Sequence, residues 1–229
     1  MARHPIAHRV PQSDTPDDVF IARLLELSAW ARTHTRALTI GIVALVGAIL
    51  LAAYVRNFQA TARAAAETRF VAVQQTVASG NTALAIRDLE AFLATHGRTH
   101  VADEARILLA QSYLAEGQPQ KAIEAIDKLA GSIGKGLGTT AALLKAAALE
   151  VDGRTDEAEA LYLRIADDAR YNYERMEALE AAARIRMDRG DAAGASQLYD
   201  RLVALASDGS ADKAIYQMRL AEAKARAQN

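Results

Sequence analysis

Apolar residues follow three regimes along the chain. Residues 1–36 are mostly polar. They contain one amphipathic stretch, VFIARLLELSAWAR, which sets Phe20, Leu24, Leu27 and Ala31 along one side at helical spacing. Thr15-Pro16-Asp17-Asp18 just before it supplies a capping hydroxyl, a proline at the first helical position and acids in the first turn. Residues 37–55 (ALTIGIVALVGAILLAAYV) carry no charge. From residue 56 to 229 apolar positions recur at the helical period in short stretches separated by turn signals, and nothing alternates in the manner of a strand. The pattern predicts an all-α protein in three parts: 1–36, 37–55 and 56–229.

The middle part reads as a transmembrane helix. Its nineteen residues reach ~28 Å at about 1.5 Å per residue, enough for the hydrocarbon core with little tilt. A cleaved signal peptide fits poorly, because its apolar core is shorter and lies close to the start. Arginines near the span are tied: Arg23, Arg32 and Arg36 precede it, and Arg56, Arg63 and Arg69 follow. The positive-inside rule is counted on short segments, and only the tail is short, with Arg3 and Arg9 bringing it to five. Residues 1–36 are therefore expected in the cytoplasm and 56–229 on the far side of the membrane. Ala44, Ala48 and Ala52 form a small-residue stripe suited to close approach of another helix. The amphipathic helix before the span, with Trp30 near the bilayer edge, suits either the lipid interface or a docking partner.

Beyond Ser79 a period emerges. Gly80, Gly117, Gly153 and Gly190 are 37, 36 and 37 residues apart. Ala85, Ala122, Ala158 and Ala195 follow at the same offset, then Leu89, Ile126, Tyr162 and Tyr199, then Phe92, Leu129, Ile165 and Leu202. Val73, Ala110, Ala146 and Ala183 precede the glycines, also in phase. Glycine takes the turn between paired helices, small residues sit where the helices cross, and larger residues fill the grooves beside them. ARILLAQSYLAEGQPQKAIEAIDKL and ALLKAAALEVDGRTDEAEALYLRI resemble tetratricopeptide repeats. The expectation is an α-solenoid of about four helix pairs, with the helix in Ser210–Gln228 capping the last.

Composition sharpens this. Hydrophobic residues are 51% but aromatics only 5%; alanine, nearly a quarter of the chain, makes the difference. Gly 13 and Pro 4 leave little punctuation for sheets, so all-β and Rossmann-type folds are excluded. Lys+Arg 27 against Asp+Glu 28 gives no basic surplus for nucleic acid. With no cysteine there is no disulfide, thiolate zinc site or thiol nucleophile.

Candidate chemistry is thin. GSIGKGLG (131–138) lacks the first glycine of a phosphate loop, since Leu129 stands there, and Gly136 replaces the metal-binding hydroxyl. It reads as an inter-repeat loop. His4/His8 and His96/His100 each span a helix breaker and lack a third ligand. No GxSxG elbow is present. Tyr162, Tyr171, Tyr173 and Tyr199 read as packing between helices. No enzyme activity, cofactor or metal is expected.

The charged tail, the single span near residue 40 and the alanine-rich repeat domain together resemble the bacterial ancillary subunit of the Sec translocon, most closely over Ala29–Ala66. The segment Phe92–Asp127 also resembles repeats of periplasmic envelope-assembly adaptors, without the Tyr-Pro pair those carry near His96-Gly97. The first resemblance implies a single-pass inner-membrane protein with a periplasmic domain, partnered by the translocon and by periplasmic chaperones, and without catalytic residues.

Recognition remains as the expected role. By phase, the first helix of each pair should line a groove with Glu67, Phe70 and Gln74, then Glu104, Ile107, Gln111 and Leu114, then Thr140, Leu143 and Glu150, and finally Glu177, Glu180, Arg184 and Met187. The lysines and asparagines of a carboxylate clamp are missing from these positions. An acidic and apolar groove suits a basic, amphipathic or partly unfolded segment, though the same acids would also serve as solvated helix surface. The leading expectation is a non-enzymatic interaction protein at the translocon, linking translocated envelope proteins to chaperones. The rivals are a scaffold for another envelope machine, in division or outer-membrane assembly, and an enzyme or transporter accessory with a small-molecule site between repeats.

Overall fold

The computed structural model describes residues 30, 32 and 34–228, and every regular element among them is an α-helix. The amphipathic segment before the span, with Thr15–Asp18, and the pair His4/His8 lie outside the described residues. Two compact units divide the chain at Thr61/Ala62.

In the first unit the described structure is the N-terminal portion of α1 (Thr35–Ala78). Thr39–Asn57 is the one stretch of the described residues long and apolar enough to cross a membrane, and none of its surface is buried. Ile40 and Val43 are each 70% exposed, as are Leu50 and Leu51 nearly to that degree. Ala44, Ala48 and Ala52 are exposed too.

The second unit is a tetratricopeptide-like solenoid. The end of α1 pairs with α2 (Thr82–His96), α3 (Ala102–Ala115) with α4 (Pro119–Ala130), α5 (Gly138–Val151) with α6 (Thr155–Asp168), and α7 (Asn172–Asp188) with α8 (Ala192–Leu205). The last helix, α9 (Ala211–Ala227), packs on α8. From α2 onward each helix packs on its neighbours in sequence, and α3 also touches α5, so the array grows in one direction.

The repeat glycines set this geometry. Gly80, Gly117, Gly153 and Gly190 all have φ between 68° and 79°. After α3 the amide of Gly117 donates to Leu114 O at 3.0 Å and that of Gln118 to Tyr113 O at 2.8 Å. The same two bonds recur at Gly153/Arg154 and Gly190/Asp191. They satisfy the last carbonyls of the first helix and turn the chain directly into the second. Asn81 and Asp191 then cap the following helices, their side-chain oxygens accepting from Leu84 N and Gly194 N, while Pro119 opens α4 at its first turn.

Packing follows the phase read from the sequence. Val73, Ala110, Ala146 and Ala183 are buried, as are Ala85, Ala122, Ala158 and Ala195. Leu89, Ile126, Ile165 and Leu202 are fully enclosed, and Leu129 is the one in-phase residue left half-buried. Phe70 and Phe92 join α1 to α2 with ring centroids 5.5 Å apart. Alanine at the crossings lets neighbouring helices approach closely.

Candidate protein-binding groove

The glycine phase decides what each first helix offers at the expected groove positions. Thirteen residues before the glycines stand Glu67, Glu104, Thr140 and Glu177, all exposed. Six before stand Gln74, Gln111, Ala147 and Arg184, and three before stand Val77, Leu114, Glu150 and Met187. The structure joins these residues between successive helices. Gln74 donates to Glu104 across α1 and α3 at 3.1 Å, and His100 Nε2 lies 3.2 Å from Glu67 Oε1. Gln111, Thr140, Leu143 and Glu177 line one cavity that spans α3, α5 and α7. Glu177, Glu180, Arg184 and Met187 line a second, with Arg219 and Arg226 of α9 opposite. Leu114 is half-buried against the core.

Two expected groove residues belong elsewhere. Phe70 is 4% exposed and Ile107 7%, so both are core side chains. They sit ten residues before their glycines, as do Leu143, which is half-buried, and Glu180, which is exposed. The position turns outward as the array proceeds, so a uniform phase rule places its first two members wrongly.

Glu150 is held rather than presented. It accepts from Tyr162 Oη at 2.8 Å and from Arg184 Nη2 at 2.6 Å, so α5, α6 and α7 meet at one carboxylate. Burial raises the Tyr162 phenol above its usual range, and the hydrogen bond to Glu150 adds to this. An equivalent clasp joins Tyr113 to Glu90, and burial with that carboxylate pushes the phenol up to about 12. Tyr216 of α9 reaches Glu180 at 3.4 Å. These clasps between tyrosine and glutamate went unread in the sequence; their signal was a tyrosine at a core-phase or cap-helix position with a glutamate one or two helices away.

Tyr171 and Tyr173 are not packed between helices as expected. They are 50% and 65% exposed and stack on one another, with centroids 5.7 Å apart. Internal comparison would have found them. Counted back from each glycine, the residues matching Tyr171 are Thr61, Arg98 and Gly134, and those matching Tyr173 are Arg63, His100 and Gly136.

The glycine-rich loop is a structural element. Gly134 N donates to Thr139 Oγ1 at 2.9 Å, Gly134 and Gly136 have positive φ, and Gly138 is buried at the start of α5. His96 packs its ring on Phe92 while His100 faces Glu67, so the two do not converge. Among the described residues no three potential metal ligands come together, and every buried side-chain nitrogen or oxygen has a partner.

Comparison with known proteins agrees with this architecture. The nearly identical TPR-like repeats of a putative kinesin light chain from Podosopora anserina superpose with a TM-score of 0.56 at 19% identity, over 71% of this chain and 86% of that one. A variant of the same repeats, with one glutamine changed to methionine, gives the same figures. No curated protein sequence matches the chain. The tetratricopeptide repeat-like domain matches residues 28–165. With glycine turns, small crossing residues and a shared groove all in that order, the chain belongs to the tetratricopeptide repeat-like domain family.

Proposed function

We propose that this chain is a non-enzymatic, membrane-anchored interaction protein that works beside the Sec translocon and brings translocated envelope proteins to periplasmic chaperones. The observation that carries the reading is the order of parts: an exposed apolar helix of membrane-spanning length, Thr39–Asn57, precedes a repeat array in which α3, α5 and α7 line a common cavity. Repeat arrays of this kind are scaffolds for protein partners. The five arginines of residues 1–36 support a cytoplasmic tail, with 56–229 on the periplasmic side in this reading. The stripe Ala44, Ala48 and Ala52 offers the span a helix partner within the bilayer.

Photocrosslinkers at positions 44, 48 and 52 test the association in cells. A translocon component should be trapped; lipid alone, or subunits of a division or outer-membrane assembly machine, refutes it. Alkaline phosphatase fused after Asn229 should be active and membrane-bound. An inactive fusion places the array in the cytoplasm, and a soluble active one means that the span is removed; either outcome refutes the topology.

A further inference from the structure

The groove is not uniform, and its departures from the repeat gather in α7. Where Phe70, Ile107 and Leu143 stand in the earlier repeats, α7 has Glu180; where Arg63, His100 and Gly136 stand, it has Tyr173. Both line a cavity of about 400 Å³ between α7, the end of α8 and the start of α9. Met176, Leu205 and Ala206 line it together with Tyr173 and Tyr216; its charges are Glu177, Asp212 and Glu180, which accepts from Tyr216 Oη at 3.4 Å. No lysine or arginine lines it.

The neighbouring cations have partners of their own outside the cavity lining. In the adjacent cavity Arg184 is engaged by Glu150, and Arg219 and Arg226 both bind Glu222, so the cations there already have carboxylates. Lys213 pairs with Asp208, Arg175 donates to Ala169 O at 2.6 Å, and Arg170 lies over the Tyr171 ring. Neither Glu177 nor Asp212 forms an ion pair with a described residue. Glu177 also lines the two neighbouring cavities, one floored by Leu143, Leu144 and Ala147.

We infer that this tyrosine-walled cavity of α7–α9 receives a lysine or arginine side chain of a bound polypeptide, whose neighbouring apolar residue lies on Leu143, Leu144 and Ala147. Aromatic faces and carboxylates attract the cation together, the apolar floor takes its methylene stem, and the adjoining cavity takes the flanking residue. The partner is a segment that mixes basic and apolar residues. This rests on the groove being the docking face.

The test uses the full chain in neutral detergent and two fluorescein-labelled nonapeptides, alternating leucine with serine and differing only in a central lysine or norleucine. The lysine peptide should bind about tenfold tighter, an advantage reduced by added salt. Glu177→Gln with Glu180→Gln should abolish that advantage; Tyr173→Ala, at an exposed side chain, should weaken the lysine peptide more than the norleucine peptide. Equal binding of both peptides, unaltered by these substitutions, overturns the cation pocket while the groove reading stands. If neither peptide binds, both fall.

Discussion

Gly138 and Gly153 separate two reasons for a glycine, and alanine at each should reveal the difference. A Cβ on Gly138 would fall on the carbonyl oxygen of Ser132, 2.5 Å from that carbonyl's carbon and 3.0 Å from the serine Cβ. These are mainly backbone atoms of a loop tied at both ends. Gly138 N donates to Lys135 O at 2.9 Å and Gly134 N to Thr139 Oγ1 at 2.9 Å, so relief requires the loop to move as a body. Overpacking against backbone at a buried site costs about 3 kcal/mol. At Gly153 a Cβ meets nothing within 4 Å, and the penalty is only that of φ +78 for an L-residue, about 1 kcal/mol. For an array of this size each kcal/mol moves the midpoint by roughly 2–4 °C. Thermal unfolding followed by circular dichroism should therefore fall by roughly 6–12 °C for Gly138→Ala and roughly 2–4 °C for Gly153→Ala. Asparagine, which tolerates the left-handed region, should recover part of the loss at 153 and none at 138. Equal losses at the two sites, or recovery by asparagine at 138, would refute the distinction between contact and conformation.

Three further outcomes follow from the same packing. Tyr113 should ionise near 12, and Glu90→Gln should lower that midpoint while leaving it above the usual phenol range, because burial is the larger cause; the phenolate absorbance difference against Tyr113→Phe measures it. With the folded-state value raised, the stabilisation is complete below about pH 10 and is lost as pH climbs through about 12; Glu90→Gln, whose folded value lies closer to the usual one, should lose less stability over that interval. Glu159→Ala removes the acceptor of Arg186 Nε (2.7 Å) and Arg189 Nη1 (2.9 Å); Asp191 and Asp156 stay within reach of these arginines, so urea unfolding should show a loss of about 2 kcal/mol rather than the larger cost of a stranded pair. Ala183→Leu at a fully buried crossing should cost about 2 kcal/mol by overpacking, against nearly nothing for exposed Ala193→Leu in the same melt.

The fold was legible because its determinants are local and repeated. A glycine every 36 or 37 residues, with alanine and a larger apolar residue at constant offsets, states where the turns, crossings and grooves fall. The groove was legible only in part. Glu67, Glu104, Gln111, Thr140 and Glu177 are exposed as their phase implied, since the position thirteen or six before the glycine faces away from the paired helix. Phe70 and Ile107 were misplaced because exposure at the tenth position depends on what packs alongside, and for Phe70 that is the Phe92 ring. Tyr171 and Tyr173 were misplaced because an aromatic residue in an alanine-rich chain is read by default as core.

Charge along the first helices is sorted by what each carboxylate bonds to rather than by its position alone. Glu150 and Glu177 both lie on first helices facing the shared surface, yet Tyr162 and Arg184 close on Glu150, while Glu177 forms no ion pair with a described residue. A carboxylate that accepts from a phenol and a guanidinium is already solvated by the protein, and little field remains to attract a partner. One that faces tyrosine rings and an apolar floor keeps its field, focused by the low-dielectric wall around it. The array carries acids along its length, and at α7–α9 it sets Glu177 and Asp212, which form no ion pair with a described residue, beside tyrosine side chains. Recognition on such a scaffold is decided where the repeat is broken, and here the break consists of Tyr173 and Glu180.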